Sequence, residues 1–204
     1  MKYGRYHMSF TTGGLFHYES VEVARLYLDL RDWKNVQDRI TVENILQART
    51  LNTINRVCRE VISRMKTLSL DEMEFLVEAG HQEQAYLLWV AACRQYQFIA
   101  DFAVEVLRER YITLKNDLPH EHFDSFFNRK SEWHAELDKI TPATQSKLRQ
   151  VLFKILREAD LLTTHNVIQA ALLSPRLLEL VIQGNPGDVL FFPVFEYEVK
   201  RAKQ

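Results

Sequence analysis

The stretch that decides the fold runs from residue 82 to residue 113 and reads QEQAYLLWVAACRQYQFIADFAVEVLRERYIT. Apolar and aromatic residues recur in it three and four positions apart, which is the period of an α-helix. The pattern predicts two helices, over about 82–95 and 97–113, that form the centre of the core. The side chains expected inside are Tyr86, Leu87, Leu88, Trp89, Phe98, Ile99, Phe102, Val104, Val106 and Leu107.

The residues before this stretch also follow a helical period. Helices are predicted over about 18–34 and 50–67. Thr41 is expected to cap a further short helix, and Ser69 with Glu72 forms the capping box that opens another. The apolar side of the 50–67 helix is expected to carry Leu51, Ile54, Val57, Cys58, Val61, Ile62 and Met65.

After residue 113 the helical pattern is interrupted at residues 115–119, which mark a domain boundary. We therefore expect a fold that is mainly α: a two-lobed helical bundle. Residues 1–118 form an N-terminal helical bundle, and residues 119–204 form a C-terminal helical lobe with short strands.

In the second lobe a helix is predicted over about 120–137, with Trp133 turned inward. Thr141 and Ser174, each followed by proline, are expected to cap the next two helices. Residues 166–170 and 188–192 read as short strands. Together they predict a small β-hairpin or winged-helix-like element near the C-terminus.

Composition narrows the class of protein. Hydrophobic residues make up 47% of the chain, and 26 basic residues nearly balance 27 acidic ones, so bulk charge predicts no partner. No apolar run is long enough for a membrane span, and residues 1–7 lack the apolar core of a signal peptide. A cytoplasmic protein without a membrane partner is expected. Cys58 and Cys93 lie among apolar neighbours and are expected to be small core residues rather than a disulfide.

Basic residues are concentrated on two predicted helices. On the 50–67 helix, polar and basic side chains line one face opposite the apolar side. A second basic segment covers residues 139–157, whereas residues 67–93 hold five acids and no Lys or Arg. Arg and Asn hold phosphates and reach base edges, although such faces can also be ordinary solvated helix surface. The candidate nucleic-acid contacts are Arg49, Asn52, Arg56, Arg59, Lys66, Lys147, Lys154 and Arg157.

A turn rich in small residues, Ser-Phe-Thr-Thr-Gly-Gly-Leu at residues 9–15, precedes the first helix. Gly13 and Gly14 allow close approach of the backbone, and Thr11 and Thr12 add hydroxyl groups, so the loop is a candidate phosphate site. The alternative is a tight turn whose hydroxyls satisfy local backbone groups.

Residues with catalytic potential are few. His120, Glu121, His122 and Asp124 lack the spacing of a metal site, and no phosphate-loop or nucleophile-elbow motif occurs. Asp101 and Glu105, one helical turn apart, are expected to bridge to a neighbouring arginine such as Arg94 or Arg108. We expect no metal, no cofactor and no enzymatic activity.

Taken together, these stretches resemble the BrxA family, the small accessory protein of BREX phage-defence systems. The resemblance runs from near Ser9 to Pro193 and depends on the order and spacing of several short segments. These segments are residues 9–15, 44–50, 92–99, 101–107, 123–127, 132–134, 147–150 and 173–178.

The resemblance implies a cytoplasmic, mostly helical bacterial protein with no known catalytic activity, associated with double-stranded DNA and acting beside a methyltransferase and an ATPase. The family's bundle has been likened to antitermination factors of the NusB type. We therefore expect a DNA-binding accessory protein of phage defence with weak or absent sequence preference. A protein–protein adaptor for other BREX components and an RNA-binding protein of NusB type are the alternatives.

Overall fold

The computed structural model describes residues 5–195. The chain contains a π-helical turn at Ala103–Arg108 and a 3-10 helix at Pro186–Phe191. The prediction of a mainly helical fold is confirmed. The α-helices are α1 (His17–Leu30), α2 (Trp33–Glu43), α3 (Leu51–Met65), α4 (Leu70–Glu78), α5 (His81–Gln95), α6 (Gln97–Phe102), α7 (Glu109–Ile112), α8 (Glu121–Ser131), α9 (Pro142–Glu158) and α10 (Pro175–Gly184).

The core is built around α5, as the opening stretch predicts. Every residue from 85 to 93 is buried, which is the pattern of a helix surrounded by other elements. Helices α1, α3, α4, α6 and α9 pack against it, together with the 3-10 helix. Trp89 at its centre donates its indole N–H to the Phe191 carbonyl at 3.0 Å, so even the polar atom of this ring is satisfied.

The buried apolar residues form one connected cluster that extends from Tyr6 to Val194. It contains side chains from both sides of the proposed boundary at residues 118 and 119. The division into two lobes stays a prediction, and the ends of the two lobes, residues 1–4 and 196–204, lie outside the described residues.

Three predicted helix starts are confirmed by their caps. The Ser69 hydroxyl accepts from the Glu72 N–H at 3.2 Å, and the Glu72 carboxylate accepts from the Ser69 N–H at 2.7 Å. Thr141 and Ser174 each accept from the backbone N–H three residues on, with proline in the first turn. These starts were predictable because the capping interaction is local in sequence.

The predicted C-terminal β-hairpin is wrong. Residues 188–192 overlap the 3-10 helix, and within residues 5–195 the only β-pairings are isolated bridges, Asp117 with Val167 and Leu162 with Ile168. Residues 186–191 form a 3-10 helix because Arg94 binds the Asp188 carboxylate and the Phe191 carbonyl accepts from Trp89. These long-range partners override a β-like local pattern.

The predicted 18–34 helix is two helices. Arg31 takes a left-handed conformation (φ 53°) after α1, and Asp32 caps α2 by accepting from the Asn35 N–H at 2.7 Å. Thr41 therefore lies inside α2, where its hydroxyl donates to the Gln37 carbonyl, and its predicted role as an N-cap is wrong.

Two side chains expected in the core are exposed. Leu51, the first residue of α3, is 59% exposed. Trp133 is 68% exposed because α8 ends at Ser131, so the helical period does not continue to it.

Both cysteines are buried, as predicted, and burial raises the pKa of the Cys58 thiol to about 11 and that of Cys93 well above its usual value. At about pH 8, near the ordinary thiol pKa, neither should react with a disulfide reagent in the native protein, and both should react in denaturant. A Lys115→Cys variant is the exposed control. Rapid titration of two thiols in the native wild type would contradict the burial.

Arg94 connects three parts of the chain. It binds the Glu72 carboxylate through two hydrogen bonds at 2.7 and 2.8 Å, the Asp188 carboxylate at 2.5 Å and the Thr67 carbonyl at 3.0 Å. Both carboxylates are 1% exposed. The guanidinium thus ties α5 to α4 and to the C-terminal 3-10 helix.

Arg94→Ala should lower the free energy of unfolding in urea by about 3–5 kcal/mol, because it leaves two buried carboxylates unpaired. Burial already raises the pKa of Asp188, and without Arg94 it should rise further, so the loss should shrink as the pH falls to about 4. Arg25→Ala, which breaks an exposed pair with Glu22, should cost about 1 kcal/mol or less. Equal losses for the two variants would refute the assignment.

Candidate nucleic-acid interface

The outer face of α3 presents the first set of predicted contacts to solvent. Arg49, just before the helix, and the four predicted residues on or next to it are all exposed. Within residues 5–195, no carboxylate lies in ion-pair range of any of the four cations of this set. Lys66 lies 5.7 Å from the centre of the Trp33 ring. The face therefore carries positive charge that the described protein does not neutralise. These residues are Arg49, Asn52, Arg56, Arg59 and Lys66.

The remaining charges of α3 point inward and cancel each other. Arg64 is 1% exposed, and its Nε donates to the Glu60 carboxylate at 2.8 Å. The Tyr96 hydroxyl donates to the same carboxylate at 2.6 Å, and burial together with Glu60 raises the Tyr96 pKa. The acid of the helix is thus removed from the outer face. The sequence pattern alone did not show this separation.

The second basic strip, on α9, has fewer cations free to bind phosphate than the sequence predicts. Lys147 and Lys154 on α9 are exposed, but the Lys154 Nζ lies 3.5 Å from the Glu158 carboxylate. Arg157 is half-buried, donates to the Asn166 side-chain carbonyl at 2.7 Å and lies over the Phe153 ring. Of the three predicted contacts, Lys147 alone makes no ion pair or hydrogen bond within the described part of the chain.

The glycine turn lies beside this second strip. Gly13 and Gly14 line a cleft of about 530 Å³ together with Lys154, Arg157 and Glu158. Thr11 and Thr12, half-buried, precede it in the chain. The structure thus brings together two groups of predicted residues that are separated by well over a hundred positions in the sequence.

A carboxylate of the protein itself is already hydrogen-bonded to the backbone of this turn. The Leu15 N–H donates to Glu158 Oε2 at 2.5 Å, and the Gly14 carbonyl accepts from Arg64 Nη1 at 2.8 Å. Gly13 has a left-handed φ of 75°, and a Cβ there would lie 1.9 Å from the Phe16 ring. The structure favours the tight turn, satisfied internally, over an open phosphate site.

Two histidines line the same cleft. The rings of His17 and His81 stack with centroids 4.1 Å apart. Burial, and then the neighbouring His81, lower the pKa of His17. His17 is therefore neutral at neutral pH and adds no positive charge to the cleft.

The carboxylates Asp101 and Glu105 do bridge to neighbouring cations, but not to the expected arginines. Lys130 Nζ lies 3.1 Å from Asp101 and 2.6 Å from Glu105, and Arg129 lies 2.9 Å from Glu105. The Tyr6 hydroxyl also donates to Asp101, and burial with this contact raises the Tyr6 pKa. The cations come from α8, which only tertiary packing brings alongside.

Residues 5–195 contain no cluster of three or more His, Cys, Asp or Glu side chains that could hold a metal ion. Among the helices of that range, none combines the length and the apolarity that crossing a membrane requires.

Within residues 5–195, fold and surface define a helical protein with a cationic helix face that no carboxylate of this range neutralises. A family model described as BrxA matches residues 4–185. The BREX protein BrxA of Escherichia coli O9:H4 (strain HS) is 30% identical over 165 residues, which cover 80% of this chain and 78% of that protein. The chain belongs to the BrxA family.

Two further similarities accompany this match. The BREX protein BrxA of Paramagnetospirillum magneticum is 24% identical over 159 residues, or 78% of this chain and 80% of that protein. A crystal structure of an uncharacterized protein from Magnetospirillum magneticum superposes with a TM-score of 0.75 at 21% identity, covering 92% of this chain and 97% of that one. The structural match shows a shared fold.

Gly14 and Glu158 should be energetically coupled. A Cβ at Gly14 would lie 2.2 Å from Glu158 Oε2, so Gly14→Ala should displace the carboxylate from the Leu15 N–H. Gly14→Ala and Glu158→Ala should each cost about 1–2 kcal/mol in urea unfolding, and the double variant should cost clearly less than their sum. Gly80→Ala, where a Cβ meets nothing within 4 Å, is the control. Strict additivity would contradict the contact.

Proposed function

We propose that the chain is a non-enzymatic, double-stranded DNA-binding accessory protein of a bacterial BREX phage-defence system, acting in the cytoplasm and binding mainly through phosphate contacts. Membership of the BrxA family supports the defence role. The observation that carries the DNA-binding proposal is the outer face of α3, whose cations have no acidic partner within residues 5–195.

The charge arrangement of α3 suits a polyanion. A basic helix that also exposed Glu60 would repel part of any phosphate backbone, but this carboxylate is held inside by Arg64 and Tyr96. In the proposal, Arg49, Arg56, Arg59 and Lys66 each neutralise backbone phosphates. Each such contact releases condensed counterions, so affinity should fall steeply as salt increases.

The other predicted contacts contribute less. Lys147 is exposed and adds a phosphate contact from α9, whereas Lys154 would first have to leave Glu158. The turn of Thr11, Thr12, Gly13 and Gly14 could receive a phosphate only after Glu158 moved from the Leu15 N–H. We therefore rank α3 as the primary contact surface and the α9 strip with the turn as secondary.

Arg56→Glu combined with Arg59→Glu should weaken binding to a labelled duplex by at least about 10-fold, because two phosphate contacts become repulsive. The slope of log affinity against log salt should become shallower by about 1 to 2 units. Fluorescence anisotropy over a salt series measures both quantities.

The matched control is Arg25→Glu combined with Lys115→Glu, which changes net charge equally at exposed positions outside α3. Circular dichroism should show native helix content in both double variants. If the control weakens binding as much as the α3 variant does, only net charge matters and the assigned face is wrong.

The adaptor alternative receives less support from the structure. Of the five acids between residues 67 and 93, most are already engaged: Glu72 binds Arg94, Glu74 pairs with Arg31, Glu78 pairs with Arg176, and Glu83 accepts from Ser174. Three of the five acids thus have an arginine partner, which leaves Asp71 and Glu83 as the carboxylates of this segment without a cation partner within residues 5–195. Co-purification with other BREX components after nuclease treatment would favour the adaptor.

The RNA-binding alternative follows from the family's likeness to NusB-type factors. A phosphate-binding face alone does not distinguish DNA from RNA, because both present the same backbone charge. Competition between a DNA duplex and a structured RNA of equal length separates the two. Preference for the RNA would replace the DNA proposal.

A further inference from the structure

The first turn of α3 exposes groups that phosphate binding does not need. Leu51, the first residue of the helix, is 59% exposed, and Val42 in the last turn of α2 is 84% exposed. Asn52 follows Leu51 and is also exposed. Asn side chains bind phosphate oxygens as well as base edges, but the exposed apolar side chain of Leu51 adds nothing to phosphate binding, so this end of the cationic face differs chemically from the rest.

The side chain of Asn52 is available to a ligand. It makes no hydrogen bond with any other group within residues 5–195, and neither does the guanidinium of Arg56. The helix cap is instead supplied by Thr50, whose hydroxyl accepts from the Thr53 N–H at 3.2 Å. Asn52 therefore has no structural role in starting the helix.

The spacing of these residues matches one strip of a helix. Asn52 and Arg56 are four positions apart and project from the same face on successive turns. Arg59 continues the strip by a further turn, whereas Leu51 lies about 100° around the helix from Asn52, at the edge of the strip. At about 1.5 Å per residue, the strip from residue 52 to residue 59 is about 10 Å long, which fits within a groove of duplex DNA.

These residue types are the ones that read base edges. The amide of Asn pairs with the N6 and N7 atoms of adenine, the guanidinium of Arg pairs with the O6 and N7 atoms of guanine, and an apolar side chain packs against the thymine methyl. All three groups are displayed in the major groove. In helix-turn-helix proteins the N-terminal residues of the second helix make such contacts; here α2 also packs against α3, although residues 44–50 form a longer connection than the turn of that motif.

We infer that the N-terminal half of α3 enters the major groove and reads sequence, with Asn52 on an adenine, Arg56 on a guanine and Leu51 against a thymine methyl. This inference depends on the proposed DNA-binding function and deepens it. In this inference Arg56 contacts a base instead of a backbone phosphate, while Arg49, Arg59 and Lys66 remain phosphate contacts that hold the helix in place. The expectation of weak or absent sequence preference is revised accordingly.

The test is enrichment of binding sites from a pool of random DNA duplexes by the full chain and its variants. Wild type should enrich a short motif that contains an adenine, a guanine and a thymine. Asn52→Ala should lose preference at the adenine by about 10-fold or more, while its affinity for unselected duplex changes little. Leu51→Ala should relax the thymine position in the same way.

Two controls separate base reading from general binding. Leu172→Ala removes a leucine that is 80% exposed elsewhere and should leave both motif and affinity unchanged. Lys66→Ala should weaken binding to every duplex equally and leave the motif intact, as expected for a phosphate contact.

Each other outcome overturns the inference in a distinguishable way. Binding without any enriched motif refutes base reading but leaves the proposed function in place. A motif that survives both Asn52→Ala and Leu51→Ala places the base contacts elsewhere. No binding to any duplex at low salt removes the proposed function, and the inference fails with it.

Discussion

The buried guanidinium of Arg64 is the constraint on which the candidate surface depends. A charge at 1% exposure must be paired, and Arg64 is paired with Glu60 on its own helix and with the Gly14 carbonyl on the preceding turn. The rings of Phe16 and Tyr96 lie 5.5 and 5.9 Å from it. Together these contacts fix the rotation of α3 about its axis, so that its other cations point to solvent.

The same turn connects α3 to α9. Gly14 binds Arg64 of α3 through its carbonyl, and the next residue, Leu15, binds Glu158 of α9 through its N–H. The glycines are needed here because side chains at these positions would collide with Phe16 and Glu158. The turn is thus a structural link between the two basic helices. Its composition is that of an anion site, but the anion bound to its backbone is the protein's own Glu158 carboxylate.

The surface charge of this protein depends on which charged side chains form ion pairs, and not only on how many there are. Most acids of residues 67–93 form ion pairs with arginines from other parts of the chain, such as Arg94 and Arg176. The outer cations of α3, by contrast, have no acidic partner in the described range. A nearly neutral chain therefore still presents one basic face. The shared fold with the Magnetospirillum magneticum protein shows that a sequence only 21% identical supports the same helical framework.

The sequence by itself determined that the fold is mainly helical, the capped starts at Ser69, Thr141 and Ser174, and the position of the core around α5, because helical period and capping are local properties. It also identified the basic residues of α3. Only the tertiary structure decided which charges cancel, that Leu51 is exposed beside Asn52, and that residues 186–191 form a 3-10 helix instead of a strand. Those outcomes depend on partners far away in the chain, such as Trp89 and Arg94, whose proximity no local pattern encodes.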